Sequence, residues 1–139
     1  MKRVLSSIRK ERMDPQTELL LQKSALDEET LQLEKLPLSI FGFHAQQAVE
    51  KLLKALLAQR GVRYKRTHDL QVLTEDLAAA GESLPFTPFS LADLSDYAVD
   101  FRYHDPLAPP SLDRETVLAT IRIVREFVCQ RIAEIDQPS

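Results

Sequence analysis

Between Phe41 and Leu56 the chain places apolar residues at Phe41, Ala45, Ala48, Val49, Leu52, Leu53 and Leu56. Steps of three and four residues put all of them on one stripe of a helix, whereas a half-buried strand would alternate with a period of two. The spacing predicts a helix from about Pro37 to Arg60, stopped by Gly61. One long apolar stripe must be covered by other elements, and the rest of the chain offers helices to do it. Its eight prolines sit between apolar patterns rather than inside them, which separates the helices instead of breaking them.

Asp14-Pro15 reads as an N-cap followed by proline at the first helical position, where the missing N–H costs nothing. The first helix is expected to run to about Leu36, with Leu19, Leu26 and Leu33 at seven-residue intervals and Leu20 and Ala25 widening the stripe. A third begins after Thr67, whose hydroxyl can cap it while Asp69 meets the positive end of its dipole; Leu70, Leu73 and Leu77 line it and Gly81 ends it. Thr87-Pro88 starts a fourth, carried by Leu91, Leu94, Ala98 and Phe101, which must finish before Pro106. From Ser111 the last helix shows Val117, Ile121, Val124, Val128, Ile132 and Ile135 on one face. These patterns predict an all-α, antiparallel up-and-down bundle of about five helices. A length of 139 residues suits one such domain, taken as residues 15–136 behind a basic arm of residues 1–14.

Composition narrows the function classes. No apolar run approaches the ~20 residues of a membrane-spanning helix, and the segment from Met1 to Arg12 lacks the apolar core of a secretory signal, so a cytoplasmic, non-membrane protein is expected. A net charge of −3 argues against a surface that is cationic throughout. The local cluster Arg60, Arg63, Lys65 and Arg66 reads as a solvated connection. Cys129 is the only cysteine, which excludes a disulfide framework within one chain. His44 has no metal-spaced partner in the sequence, no Gly-rich phosphate loop or Ser-His-Asp set is present, and neither a cofactor nor a metal is expected. The long leucine and isoleucine stripes exceed what a small bundle readily hides, which predicts a homodimer through the first and last helices.

The run Phe43-His44-Ala45-Gln46-Gln47-Ala48-Val49-Glu50-Lys51, continuing to Leu56, resembles the second helix of HEPN domains. Thr67-His68-Asp69-Leu70 resembles the start of their next helix, and Phe101-Arg102-Tyr103 their arginine-tyrosine corner. The resemblance implies a helical bundle, commonly dimeric, often encoded beside a minimal nucleotidyltransferase as a toxin-antitoxin pair; some members bind nucleotides and others are metal-independent ribonucleases. The ribonuclease branch resembles arginine, four to six residues, then histidine. Behind Arg102 that position holds Leu107, Ala108 and Pro109, with His104 too close. Arg63 and His68 have the spacing but stand in the connection before the third helix, where chance explains them.

On the second helix Gln47, Glu50, Lys51 and Lys54 sit three or four residues apart and form a polar strip. The plain reading is a solvated face with a Glu50–Lys54 pair. In the functional reading, which the resemblance suggests, this strip and the corner Arg102, Tyr103, His104 and Asp105 border one groove. There Lys51, Lys54 and Arg102 would take a phosphate, Glu50 would hold Arg102, Tyr103 would stack on a base and His104 would donate to the phosphate. The expectation is therefore a non-catalytic nucleotide-binding or protein-interaction module, with no catalytic residue assigned; the alternative is an RNA endonuclease using Arg102 and His104.

Overall fold

The computed structural model describes residues 13–33, 35–85 and 113–136. Among them the chain forms α1 (Pro15–Thr30), α2 (Leu38–Gln59), α3 (Leu70–Ala79) and α4 (Arg114–Asp136), and no strand. The fourth helix expected between Thr87 and Phe101, and the corner after it, lie outside the described residues. The central element is α2, against which α1, α3 and α4 all pack. Its Ala45, Ala48, Val49, Leu52, Leu53, Ala55, Leu56 and Leu57 are fully buried. Each buried leucine of that set contributes roughly 1.5–3 kcal/mol of transfer free energy. The helix ends as expected at Gly61, whose φ of 71° suits a residue without a Cβ, and the Val62 N–H closes the turn on the Leu57 carbonyl at 2.9 Å.

At the start of α1, Asp14 Oδ1 accepts from the Gln16 and Thr17 N–H groups at 2.8 and 3.3 Å, with Pro15 at the first position. Two expectations for this helix need correction. It stops at Thr30 rather than near Leu36, because the chain turns through Leu31 and Gln32 and Lys35 adopts a left-handed φ of 59° before Pro37. Its seven-residue leucine row also faces outward, with Leu19 43%, Leu26 62% and Leu33 60% exposed. The inward face carries Thr17, Leu20, Leu21, Ser24, Asp27 and Glu28 instead. Hydroxyls decide this orientation: Thr17 Oγ1 donates to the Ala55 carbonyl at 3.2 Å and Ser24 Oγ to the Ala48 carbonyl at 2.9 Å. Both tie α1 directly to the backbone of α2, and small side chains permit that close approach.

Asp69 rather than Thr67 caps α3, accepting from the Gln71 N–H at 2.9 Å, while Thr67 Oγ1 accepts from the Asp69 N–H at 3.0 Å. Leu70, Leu73 and Leu77 are buried as expected. Along α4, Val117, Ile121, Val124, Val128 and Ile132 enter the core, and Cys129 is buried beside them. The same face buries Arg125, 2% exposed, whose guanidinium pairs with Glu28 and donates to Ser24 Oγ at 3.1 Å, fastening α4 to α1.

Candidate polar site on the central helix

Glu50 occupies a buried position of α2 yet keeps its carboxylate fully coordinated. Oε1 accepts from Gln46 Nε2 at 3.0 Å and faces His68 Nδ1 at 2.7 Å, while Oε2 accepts from Lys54 Nζ at 2.9 Å. Burial alone would raise the carboxyl's pKa, but the hydrogen bonds from Gln46, Lys54 and His68 and the charge of Lys54 outweigh it and hold the group below the ordinary glutamate range. A carboxylate only accepts, so the proton shared with His68 belongs to Nδ1. That leaves the imidazole's Nε2 without a protein partner among the described residues, on a side chain 59% exposed. Gln46 also donates to the His68 carbonyl at 2.9 Å, and Lys54 Nζ lies 5.6 Å from the Tyr64 ring centroid. Glu50 thereby draws the connection after α2 against that helix.

A second cluster repeats the plan with residues from two helices. Asp27 of α1 turns Oδ1 to His44 Nδ1 at 2.9 Å and accepts from Lys51 Nζ on Oδ2 at 2.5 Å. The rings of Phe43 and His44 meet edge to face, their centroids 5.3 Å apart at 82°. In both clusters one carboxylate fixes an imidazole through Nδ1 and a lysine through its other oxygen, leaving Nε2 available. The two amides between them complete a ledge, Gln47 Nε2 donating to Gln46 Oε1 at 2.8 Å.

The expected strip is thus present but divided. Glu50 is buried beneath it rather than solvated, and the Glu50–Lys54 pair forms as its four-residue spacing predicts. Lys51 turns to α1 because it lies 100° around the helix from Glu50, beyond reach of the Lys54 side. Gln47 joins the Glu50 half through Gln46 Oε1. Arg102, Tyr103, His104 and Asp105 lie outside the described residues; among those described, Glu50 meets Gln46, Lys54 and His68. Sequence reasoning missed Asp27, Gln46 and His68 as members of the site. His68 carried a signal in standing directly before the capping Asp69; Asp27 carried none, being one of several acids on α1.

Two further ionic clusters are structural in character. Arg125 and Glu28 are sealed inside, and Glu82 is bracketed by Arg60 and Arg131 at 2.5 and 2.7 Å. Burial would raise the Glu82 pKa, but the Arg131 hydrogen bond and the charges of Arg131 and Arg60 lower it. Arg60 is therefore committed to the fold, while Arg63, Lys65 and Arg66 are exposed on the connection that His68 closes. Among the described residues, no group of three or more His, Cys, Asp or Glu side chains is placed to hold a metal ion, and no helix is long and apolar enough to cross a membrane.

Comparison with known proteins gives one family match: the model described as HEPN domain covers residues 22–134. No curated protein and no solved structure matches the chain.

Proposed function

The chain belongs to the HEPN domain family, and from that premise we propose that it is a non-catalytic module that binds the phosphate of a nucleotide on the α2 ledge and acts with a protein partner. The observation that carries this reading is the Glu50 cluster. A buried carboxylate that already has a lysine and an amide also fixes a largely exposed imidazole, beside a connection bearing Arg63, Lys65 and Arg66. Lysine and arginine supply charge and donors for a phosphate, and an imidazole held at Nδ1 offers a fixed Nε2 contact. A minimal nucleotidyltransferase is the partner that fits a family module of this size in a toxin-antitoxin pair. The outward leucines of α1, together with Ile123 of α4 at 48% exposure, support a homodimer.

Isothermal titration of ADP into the full chain tests the ligand. Saturable binding weakened about tenfold by Lys54→Ala and by His68→Ala is expected, a tenfold change being about 1.4 kcal/mol. Equal affinity in these variants, or no binding by the wild type, contradicts the reading.

One observation favours the alternative of a metal-independent RNA endonuclease: two imidazoles, His44 and His68, are each oriented by a carboxylate, as a general base requires. RNA cleavage in chelator by the wild type, abolished in His44→Ala, His68→Ala, His104→Ala or Arg102→Ala, would replace the non-catalytic reading with this one.

A further inference from the structure

Where the start of α1 meets the end of α2, an open depression of about 320 Å³ is lined by Asp14, Ala58, Gly61, Val62, Arg63 and Tyr64. Its walls are set by contacts of α1 with the end of α2 and the connection after it. The Asp14 N–H donates to Gln59 Oε1 at 3.0 Å, and Gln16 Nε2 donates to the Tyr64 hydroxyl at 3.3 Å. Gly61 contributes bare backbone, with no atom within 4 Å of where a Cβ would stand. The lining is chemically mixed in a specific way: Ala58 and Val62 are apolar, Tyr64 is aromatic, Arg63 is an exposed cation and Asp14 is a carboxylate.

Asp14 is half committed. Its Oδ1 caps α1, whereas Oδ2 has no hydrogen-bond partner among the described residues. A single free carboxylate oxygen accepts from an N–H and repels a carbonyl oxygen. Tyr64 joins this depression to the ledge, because its ring is also the one that Lys54 of the Glu50 cluster overlies. An aromatic wall beside an arginine suits a planar heterocycle, since bases stack on tyrosine and on guanidinium groups alike. The volume is at the lower end of the roughly 300–1,000 Å³ found for small-molecule sites.

We propose that this depression takes the base of the nucleotide, and that Asp14 Oδ2 selects adenine or cytosine, which carry the N6 or N4 amino group, over uracil, which carries the O4 carbonyl at the corresponding position. The inference rests on the phosphate-binding reading above and adds the base end of the ligand to it. Adenine N6 and cytosine N4 carry the donor hydrogens that Oδ2 can accept, while uracil presents its O4 carbonyl there. Arg63 spans the two parts, stacking at the rim or reaching the phosphate with Lys65 and Arg66.

The test is isothermal titration of AMP, CMP and UMP into the full-length wild type, Asp14→Asn, Tyr64→Leu and Lys54→Ala proteins. Wild type is expected to bind AMP and CMP about tenfold more tightly than UMP, the scale of one good hydrogen bond against a repulsive contact. Asparagine caps a helix as well as aspartate does, so Asp14→Asn keeps α1 intact. Its amide nitrogen takes the place of Oδ2 and donates to O4, so the preference turns toward UMP. Tyr64→Leu weakens all three nucleotides by about tenfold. A wild type that binds the three alike, or an Asp14→Asn protein with unchanged preference, overturns the base site. If that base-blind binding is still weakened by Lys54→Ala, the phosphate reading survives without it. Absence of binding to every nucleotide removes both.

Discussion

Glu28 and Glu50 are both buried glutamates with a cationic partner and a second polar contact in their cluster, yet they serve opposite ends. Glu28 meets Arg125, a guanidinium only 2% exposed that also reaches Ser24, so every group in that cluster is consumed inside the fold. Glu50 meets Lys54, itself 13% exposed, and His68, 59% exposed, so the imidazole remains accessible although the Glu50 carboxylate is sealed. A buried ion pair is by itself weak evidence for anything beyond packing specificity. The exposure of the His68 imidazole is what separates the two: a clamp encloses every donor, and a site displays at least one.

The largest effect expected from breaking this contrast is at Arg125. Arg125→Ala strands the Glu28 carboxylate inside the α1–α4 interface and should lower stability by about 3–5 kcal/mol in urea unfolding, the usual cost of orphaning a buried charge. Protein that remains folded should bind ADP with wild-type affinity. At Glu50 the balance shifts from stability to binding. Glu50→Gln keeps the volume and part of the hydrogen bonding, so about 1–3 kcal/mol of stability should be lost, together with most of the ADP affinity as His68 and Lys54 lose their anchor.

Acid sharpens the same distinction. The carboxyls of Glu50 and Glu82 are held below their ordinary values, so the stability they contribute is fully present above the unfolded glutamate pKa of about 4.3 and is lost as pH falls through their lower folded values. Urea unfolding across this acid range should therefore show a shallower decline for Glu50→Gln than for the wild type. The smallest effect on stability is expected at the outward row of α1. Leu26→Lys should change the unfolding free energy of the monomer by no more than about 0.5 kcal/mol, as for surface positions generally, while in sedimentation the proposed homodimer should dissociate.

The sequence made α2 readable because its stripe is unbroken and its period is that of a helix, and the cap at Asp14 and the stop at Gly61 are local chemistry. The orientation of α1 was not readable. A row of leucines is the strongest apolar signal on that helix, and nothing local announces that Thr17 and Ser24 will hydrogen-bond carbonyls of α2 and turn the leucines out. The candidate site divides in the same way. Glu50 and Lys54 are four residues apart on one helix, so their pairing followed from spacing. His68 joins Glu50 from 18 residues away and Asp27 joins Lys51 from 24, distances that only the packing of α1 and the return of the connection after α2 can close. The family resemblance placed Thr67-His68-Asp69 at the start of a helix, but not its imidazole on Glu50.

The central claim, that Glu50 holds His68 in place for a ligand whereas Arg125 belongs to the fold alone, can be read directly by NMR. Resonances of the His68 imidazole and of the Arg125 Nε–H would be followed in the wild-type protein as AMP is added. The account predicts that the His68 signals move saturably with the nucleotide while Arg125 Nε–H stays fixed. Saturable AMP binding that leaves His68 unmoved would contradict it.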